Sequence, residues 1–365
     1  MATNSFFPSR IITVYMAKMF LTRTFAVLFA LVLVLQTLDL LGASGDVLAY
    51  NGNDGGDVLR YVSLRAPQII SLFLPFSVLL GTVVTLATLN QNSEIVSMKG
   101  AGLSAHQVLA PLIVASLLVA FASFAFNDRI VARATATLTR WQKAEYGPIP
   151  KDTKMQTNVW VREGSLLIHA DTVTGRKKNT TLNDVTVYNR SGGALISITK
   201  SPSAVPDNGA LELTSARVFD VGRGSQTNAG TVRIGNNFQP EQFTLASVKA
   251  DEMSLFELKS AIGDLKSAGR PTGALEAGLW HKISGPLSSI LMPLLGAVAA
   301  FGIARSGRLF FRAVIGMGLG FAYFVADNFG LAMGNLGAYP PLLAAWGPFI
   351  LFLLIGETVL IQTEE

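Results

Sequence analysis

Glu94 has the setting that says most about chemistry. It stands in Asn92-Ser93-Glu94-Ile95-Val96-Ser97-Met98-Lys99-Gly100-Ala101-Gly102, a polar link between two long apolar stretches. Ser93 to Gly102 is long enough for about two helical turns ending at Gly100 or Gly102. An acid in a first helical turn is stabilised by the unpaired amides there, so Glu94 is either a plain terminal charge capped by Ser93 or a contact for a basic partner. Asp327 lies inside a later apolar stretch. An ionisable group at that depth is costly; it faces a cavity, pairs with Asn328 or a partner's base, or sits near enough to the rim to reach water. Arg60 and Arg65 stand where the second apolar stretch begins, and Arg129, Arg133, Arg140 and Lys143 follow the third at spacings that place several on one helical face. These cations suit an anionic headgroup at a membrane rim, or serve equally as solvated and snorkelling side chains. Gln36 and Asp39 interrupt the first apolar stretch and suggest an interior rather than a plain anchor.

Several other chemistries lack their residues. The chain has no cysteine, which excludes disulfides, thiolate metal sites and cysteine nucleophiles. His106, His169 and His281 fall in separate segments and no H-E-x-x-H occurs, so neither a metal centre nor a hydrolytic constellation is expected. No G-x-x-x-x-G-K-[ST] is present to cradle nucleotide phosphates. The chain reads as a non-enzyme without a cofactor of its own, partnered by membrane and lipid rather than nucleic acid.

The elements that position these residues are mostly membrane spans. Phe25 to Leu41, Pro67 to Leu89, Val108 to Phe126, Leu279 to Ile303, Ala313 to Met333 and Leu342 to Ile361 each approach or exceed the roughly 20 apolar residues that cross about 30 Å of hydrocarbon. Six transmembrane helices in a 3 + 3 arrangement are expected, in a chain with mean hydropathy +0.42 and only 15% charged residues. Arg10, Lys18 and Arg23 precede the first span, Lys99 lies between the second and third, and Arg305, Arg308 and Arg312 lie between the fourth and fifth. The positive-inside rule then puts both termini in the cytoplasm and the long central segment outside. Phe6 to Phe20 reads as an interfacial helix. Gly316, Gly318 and Gly320, and Gly296 with Ala299 and Ala300, permit close helix packing or sliding.

The central segment has a different rhythm. Val159 and Val161, then Leu166 and Ile168, flank Glu163-Gly164; Val185 and Val187, then Leu195, Ile196 and Ile198, flank Ser191-Gly192-Gly193; Leu211 and Leu213 follow Asp207-Asn208-Gly209. Serial hairpins of this kind predict an antiparallel sandwich or jelly roll, with a thin apolar inner face open enough to hold something apolar. Val161 and Ile168 belong to the expected inward set, and a one-residue slip would substitute Trp160 and Leu167. Ser254-Leu255-Phe256-Glu257 forms a capping-box pattern, followed by Leu255, Leu258, Ile262 and Leu265 at helical spacing. The expected organisation is 1–127 for the interfacial helix and first three spans, 128–275 for the all-β domain with connecting helices, and 276–365 for the last three spans.

Three blocks carry a family resemblance: Asn92 to Gly102; Met253 to Gly269 leading into Leu279-Trp280-His281-Lys282 with Pro286-Leu287; and Gly316 to Phe324 followed by Asp327 and Gly330. With the 3 + domain + 3 layout they resemble the lipopolysaccharide export permeases LptF and LptG of Gram-negative bacteria, the C-terminal half being more similar to LptG. The resemblance implies an inner-membrane, multi-pass permease subunit of an ABC transporter with a periplasmic β-jelly-roll-like domain. It implies a second, LptF-like permease, an LptB-like ATPase dimer that carries ATP and Mg, and an LptC-like bridge protein that receives the lipid. It also makes Ser93, Glu94, Met98, Lys99 and Gly102 the ATPase-coupling helix, and Val161 and Ile168 part of a lipid conduit. Where relatives carry lysines at the outer end of the first span, this chain has Gln36, Gly42 and Ala43, which points to a less phosphorylated lipid. A membrane-anchored assembly or receptor protein is the alternative reading.

Overall fold

In the computed structural model the described residues are 8–149, 156–175, 179–191, 194–207, 209–238, 240, 243, 249–267, 270–297 and 309–362. Gly192, Gly193, Asn208, Ala299, Ala300, Arg305 and Arg308 lie outside them, as does the side chain of Arg312. The chain divides into two units, one comprising Met1–Ile149, Ala250–Leu255 and Gly273–Glu365, the other Pro150–Lys249 and Phe256–Thr272.

The first unit is helical. It contains α1 (Arg10–Ala49), α2 (Gly55–Gln91), the short α3 (Glu94–Gly100), α4 (Ala105–Phe126), a π turn (Asn127–Val131) and α5 (Ala132–Lys143). After the second unit's α6 (Leu255–Ser267) follow α7 (Gly273–Ala297), α8 (Leu309–Asn335) and α9 (Pro341–Gln362). Two starts are capped as sequence chemistry dictates: Asp54 with Asp57, and Ser104 with Gln107, each form a reciprocal capping box.

Two expectations are corrected here. There is no separate interfacial helix: Arg10–Ala49 is one helix, because no proline or glycine breaks it before Gly42 and Met16, Phe20, Thr24 and Leu28 form one buried stripe at four-residue spacing. At 1.5 Å per residue its 40 residues extend about 60 Å, well beyond the hydrocarbon thickness. Residues 127–143, the connecting helices, continue the third long helix through the π turn and α5. Their Leu138 and Trp141 form a separate small core with Val47 and Tyr61. Finally, five helical segments among the described residues are long and apolar enough to cross a membrane, not six. The one missing is the fourth, Leu279 to Ile303: its described part, in α7, ends at Ala297, and residues 298–303 lie outside the described residues. The later turns of α7, including Leu291, Met292, Leu294 and Leu295, are buried in the main helical core.

Close packing in this core depends on glycine. A Cβ at Gly81 of α2 would stand 2.9 Å from the Cα of Thr24 on α1, backbone against side chain, so α1 and α2 cross where only glycine fits.

The second unit contains one six-stranded antiparallel sheet: β1 (Gln156–Glu163), β2 (Leu166–Thr174), β3 (Thr181–Ser191), β4 (Ala194–Asp207), β5 (Gly209–Asp220) and β6 (Ser225–Phe238). Its order is β1-β2-β3-β4-β5-β6. The described strands therefore form a meander, each pairing only with its neighbours in sequence. Val161 and Ile168 are directly opposed across β1 and β2 and both are buried, which settles the strand phase. With Ala170, Leu182, Val185, Leu211, Leu213 and Phe238 they form a core on one face. That face is filled by its own side chains, not open. Irregular pairing between Asn189 and Arg190 and at three places along β5 bends the sheet.

Candidate functional site

The helical unit has polar machinery at both ends, held differently. At one end is the link between α2 and α4. Ser93 takes a left-handed conformation, φ 58°, and its side chain makes no capping bond to α3, so the capped-terminus alternative lacks its bond. Its carbonyl instead accepts from the Ser97 backbone N–H at 3.0 Å and from the Ser97 hydroxyl at 3.0 Å. Glu94 accepts from the Tyr15 hydroxyl of α1 and from the Asn92 side-chain amide, both at 3.3 Å. Ile95 is buried and Met98 packs against the core, so α3 sits on the bundle by one face and presents Val96, Ser97 and Lys99 outward. Gly102 ends the helix. With φ +87° it permits a Schellman arrangement, Gly102 N–H to Lys99 carbonyl at 2.9 Å and Leu103 N–H to Met98 carbonyl at 3.1 Å.

At the opposite end lies a cavity of about 430 Å³ between α2, the π turn with α5, α7 and α8. Its lining changes in the same sense along α2, α7 and α8. Arg65 and Gln68 give way to Leu72 and Phe76 on α2; His281 and Lys282 to Met292 on α7; Asp327 and Asn328 to Tyr323 and Gly320 on α8. The result is a polar mouth above an apolar floor. Leu72 and Phe324, both in the lining, are also exposed, so the cavity opens onto the surface of the unit. Backbone irregularity surrounds it: Pro75 and Pro286 have no N–H to donate to the carbonyls of Ser71 and Lys282, and the π turn carries Asn127.

Asp327 pairs with His281 Nε2 at 3.0 Å, bridging α7 and α8. The partner is thus not Asn328, whose amide donates to the Phe324 carbonyl of its own helix at 2.8 Å. The second oxygen of Asp327 and the Tyr323 hydroxyl are buried without a partner among the described residues. Arg65 is engaged by Asp39, 3.0 Å away, and Asp39 also accepts from the Tyr61 hydroxyl at 2.8 Å. The chain of contacts continues from Arg65 to Gln68 and from Gln68 to Thr135 on α5 at 2.9 Å, tying three helices together. Arg65 is therefore a half-exposed member of a network and not a free cation.

The remaining expected residues scatter. Arg60 lies outside the cavity with its guanidinium 4.5 Å above the Trp141 ring. Arg129, Arg133, Arg140 and Lys143 are all exposed on the π turn and α5, opposite the buried Ala134, Leu138 and Trp141, and among the described residues none is ion-paired. Gln36 on α1 is buried with both amide atoms unpartnered among the described residues, a costly state that invites a polar neighbour. The structure thus gathers Arg65 and Asp327 into one cavity and leaves the other four α5-side cations on an outer face. Sequence reasoning missed His281, Asn127 and Tyr323. The usable signal was that an acid and a base placed in apolar segments call for one another.

The model of the lipopolysaccharide export system permease LptF/LptG family matches residues 14–362. LptG of Escherichia coli is 25% identical over 97% of this chain and 99% of its own. LptG of Haemophilus influenzae is 23% identical over 81% of this chain and 83% of its own. A match over nearly every helix and strand described, including both polar ends of the bundle, shows that the chain belongs to the lipopolysaccharide export permease family LptF/LptG.

Proposed function

We propose that this chain is one permease half of an ABC transporter that takes lipopolysaccharide out of a Gram-negative inner membrane and passes it to a periplasmic bridge. The observation that supports this most is the cavity, polar at its mouth, apolar below and open to the side of the bundle. Such a gradient suits a molecule with a polar head and acyl chains. With α7 counted as an interior crossing, six spans place both termini and α3 in the cytoplasm and the β unit in the periplasm. Arg10, Lys18, Arg23 and Lys99 at the Glu94 end support that orientation.

The exposed face of α3 is the surface for an ATPase dimer that binds ATP and Mg, with Glu94 held ready by Tyr15 and Gly102 fixing the exit. A second, LptF-like permease supplies the other wall of the membrane path, and an LptC-like protein receives the lipid. Arg65, His281 and Asp327 meet the headgroup at the cavity mouth, while Arg129, Arg133, Arg140 and Lys143 meet anionic groups at the rim. Because Val161 and Ile168 are covered in the closed sheet, a conduit through the β unit requires that sheet to part. A photo-crosslinker at Ile168 that captures lipid only while ATP is hydrolysed supports the conduit; capture in the membrane cavity alone makes the β unit a docking module.

The decisive experiment is purification of the tagged full chain from native membranes. An ABC ATPase and a second permease of similar layout should copurify, and a crosslinker at Phe76 should capture lipopolysaccharide. Purification without an ATPase, with no lipid capture, would favour a membrane-anchored assembly protein.

A further inference from the structure

The sheet carries a second composed surface, on the face opposite its core. Trp160, His169, Thr186, Lys200, Arg217 and Asn228 are successive Cα partners across all six strands. Directly opposed residues of an antiparallel sheet point to the same side. They alternate with the buried Val161, Ile168 and Val187, so the whole rung faces outward. At one end is an aromatic platform. Trp160 is 45% exposed, its ring 4.4 Å from that of His169, and the Tyr188 ring lies nearly parallel to it at 13° and 6.1 Å. At the other end Lys200 and Arg217 stand directly opposite each other, both exposed, and among the described residues neither is ion-paired. Like charges in that position destabilise a sheet unless an anion sits with them. A concavity of about 790 Å³ runs along this face, lined by His169, Asp171, Lys200, Arg217 and Asn228.

We infer that this rung binds the phosphorylated saccharide portion of a glycolipid, an inference that rests on the lipopolysaccharide reading above. The flat, amphipathic aromatic rings offer a face for the C–H side of a sugar. Asp171, exposed Asp184 and Asn228 accept from its hydroxyls, and Lys200 with Arg217 takes the phosphate as a charge-assisted pair. Three strand spacings separate Trp160 from Lys200, about 14 Å, the reach of a short oligosaccharide. An acidic peptide would use the cations but would meet Asp171 and Asp184 and leave the platform idle. The acyl chains and the sugars of one lipid would then be handled by different surfaces.

The test uses the full chain in lipid nanodiscs and a labelled oligosaccharide prepared by deacylating lipopolysaccharide, with and without its phosphates. Saturable binding of the phosphorylated form is expected. Trp160→Ala should weaken both forms by about tenfold, whereas the double change Lys200→Gln and Arg217→Gln should weaken only the phosphorylated one by about tenfold, the loss of one hydrogen bond to a charged group. Trp160→Phe should retain binding, and unchanged protease resistance shows that the exposed substitutions leave the sheet folded. Binding insensitive to all three changes overturns the inference, as does full competition by inorganic phosphate alone or by an acidic peptide. Lipopolysaccharide capture at Phe76 is read in the same samples. If capture persists without oligosaccharide binding, this site falls and the permease reading stands; if both fail, that reading falls with it.

Discussion

The two ends of the helical bundle handle charge in opposite ways. Around α3 the buried residues are apolar, Ile95 and the flank of Met98, and the charges lie on the outer surface. At the cavity end the polar groups are turned inward: Asp39, Arg65 and Gln68 link α1, α2 and α5, and His281 with Asp327 joins α7 to α8. Under the function proposed above, the outward charges on an apolar footing serve a partner protein and the inward polar groups serve cargo, and the two ends should then fail independently.

The largest expected effect breaks the coupling end alone. Glu94→Lys sets a cation against a basic partner, a cost of several kcal/mol, and should lower lipid-stimulated ATP hydrolysis by about a hundredfold in the reconstituted complex. Lipid capture at Phe76 without ATP should be unchanged; a matching loss there would mean that the two ends are not separate. Asp327→Leu is the mirror experiment. It removes the partner of His281, and lipid capture should drop by about tenfold while the ATPase still copurifies. Asp39→Leu tests whether the polar network is structural rather than cargo-directed. Losing the bonds to Arg65 and Tyr61 should cost about 2 kcal/mol at most, since Arg65 is partly exposed, and should lower the melting temperature by a few degrees without changing ATPase copurification. Tyr15→Phe is the smallest. Its 3.3 Å bond to Glu94 is exposed, so under about 1 kcal/mol of assembly energy should be lost, enough to sharpen whether Tyr15 orients Glu94 or merely touches it.

The same contrast marks what the sequence disclosed. Five apolar stretches were legible because lipid-facing helices are apolar throughout, and the alternation around Val161 and Ile168 fixed their strands because one face is buried. α6 was legible too, since Leu258, Ile262 and Leu265 recur at helical spacing and are buried. The fourth expected span can be followed only to Ala297, since the residues that would complete it lie outside the described ones. Hairpin spacing says which strands are joined and not whether a sheet closes on itself, so the sequential pairing of β1 to β6 was legible and the jelly roll was not. Of the candidate site, the link motif was visible as a contiguous run. The cavity was not, since Arg65, Asn127, His281 and Asp327 are brought together only by packing of four helices far apart in sequence.

The strictly sequential order of β1 to β6 bears on how such a chain can be made at all. Every hairpin closes with the strand just completed, a low-contact-order arrangement that folds fast and needs no residue from later in the chain. No disulfide has to form. The inserted unit can therefore be finished while α7, α8 and α9 are still to be synthesised, and a folded insert spares those last helices the search through a long, unfolded loop to find α2 and α4. Biogenesis of the bundle thus tolerates an interruption of more than a hundred residues because the interruption looks after itself.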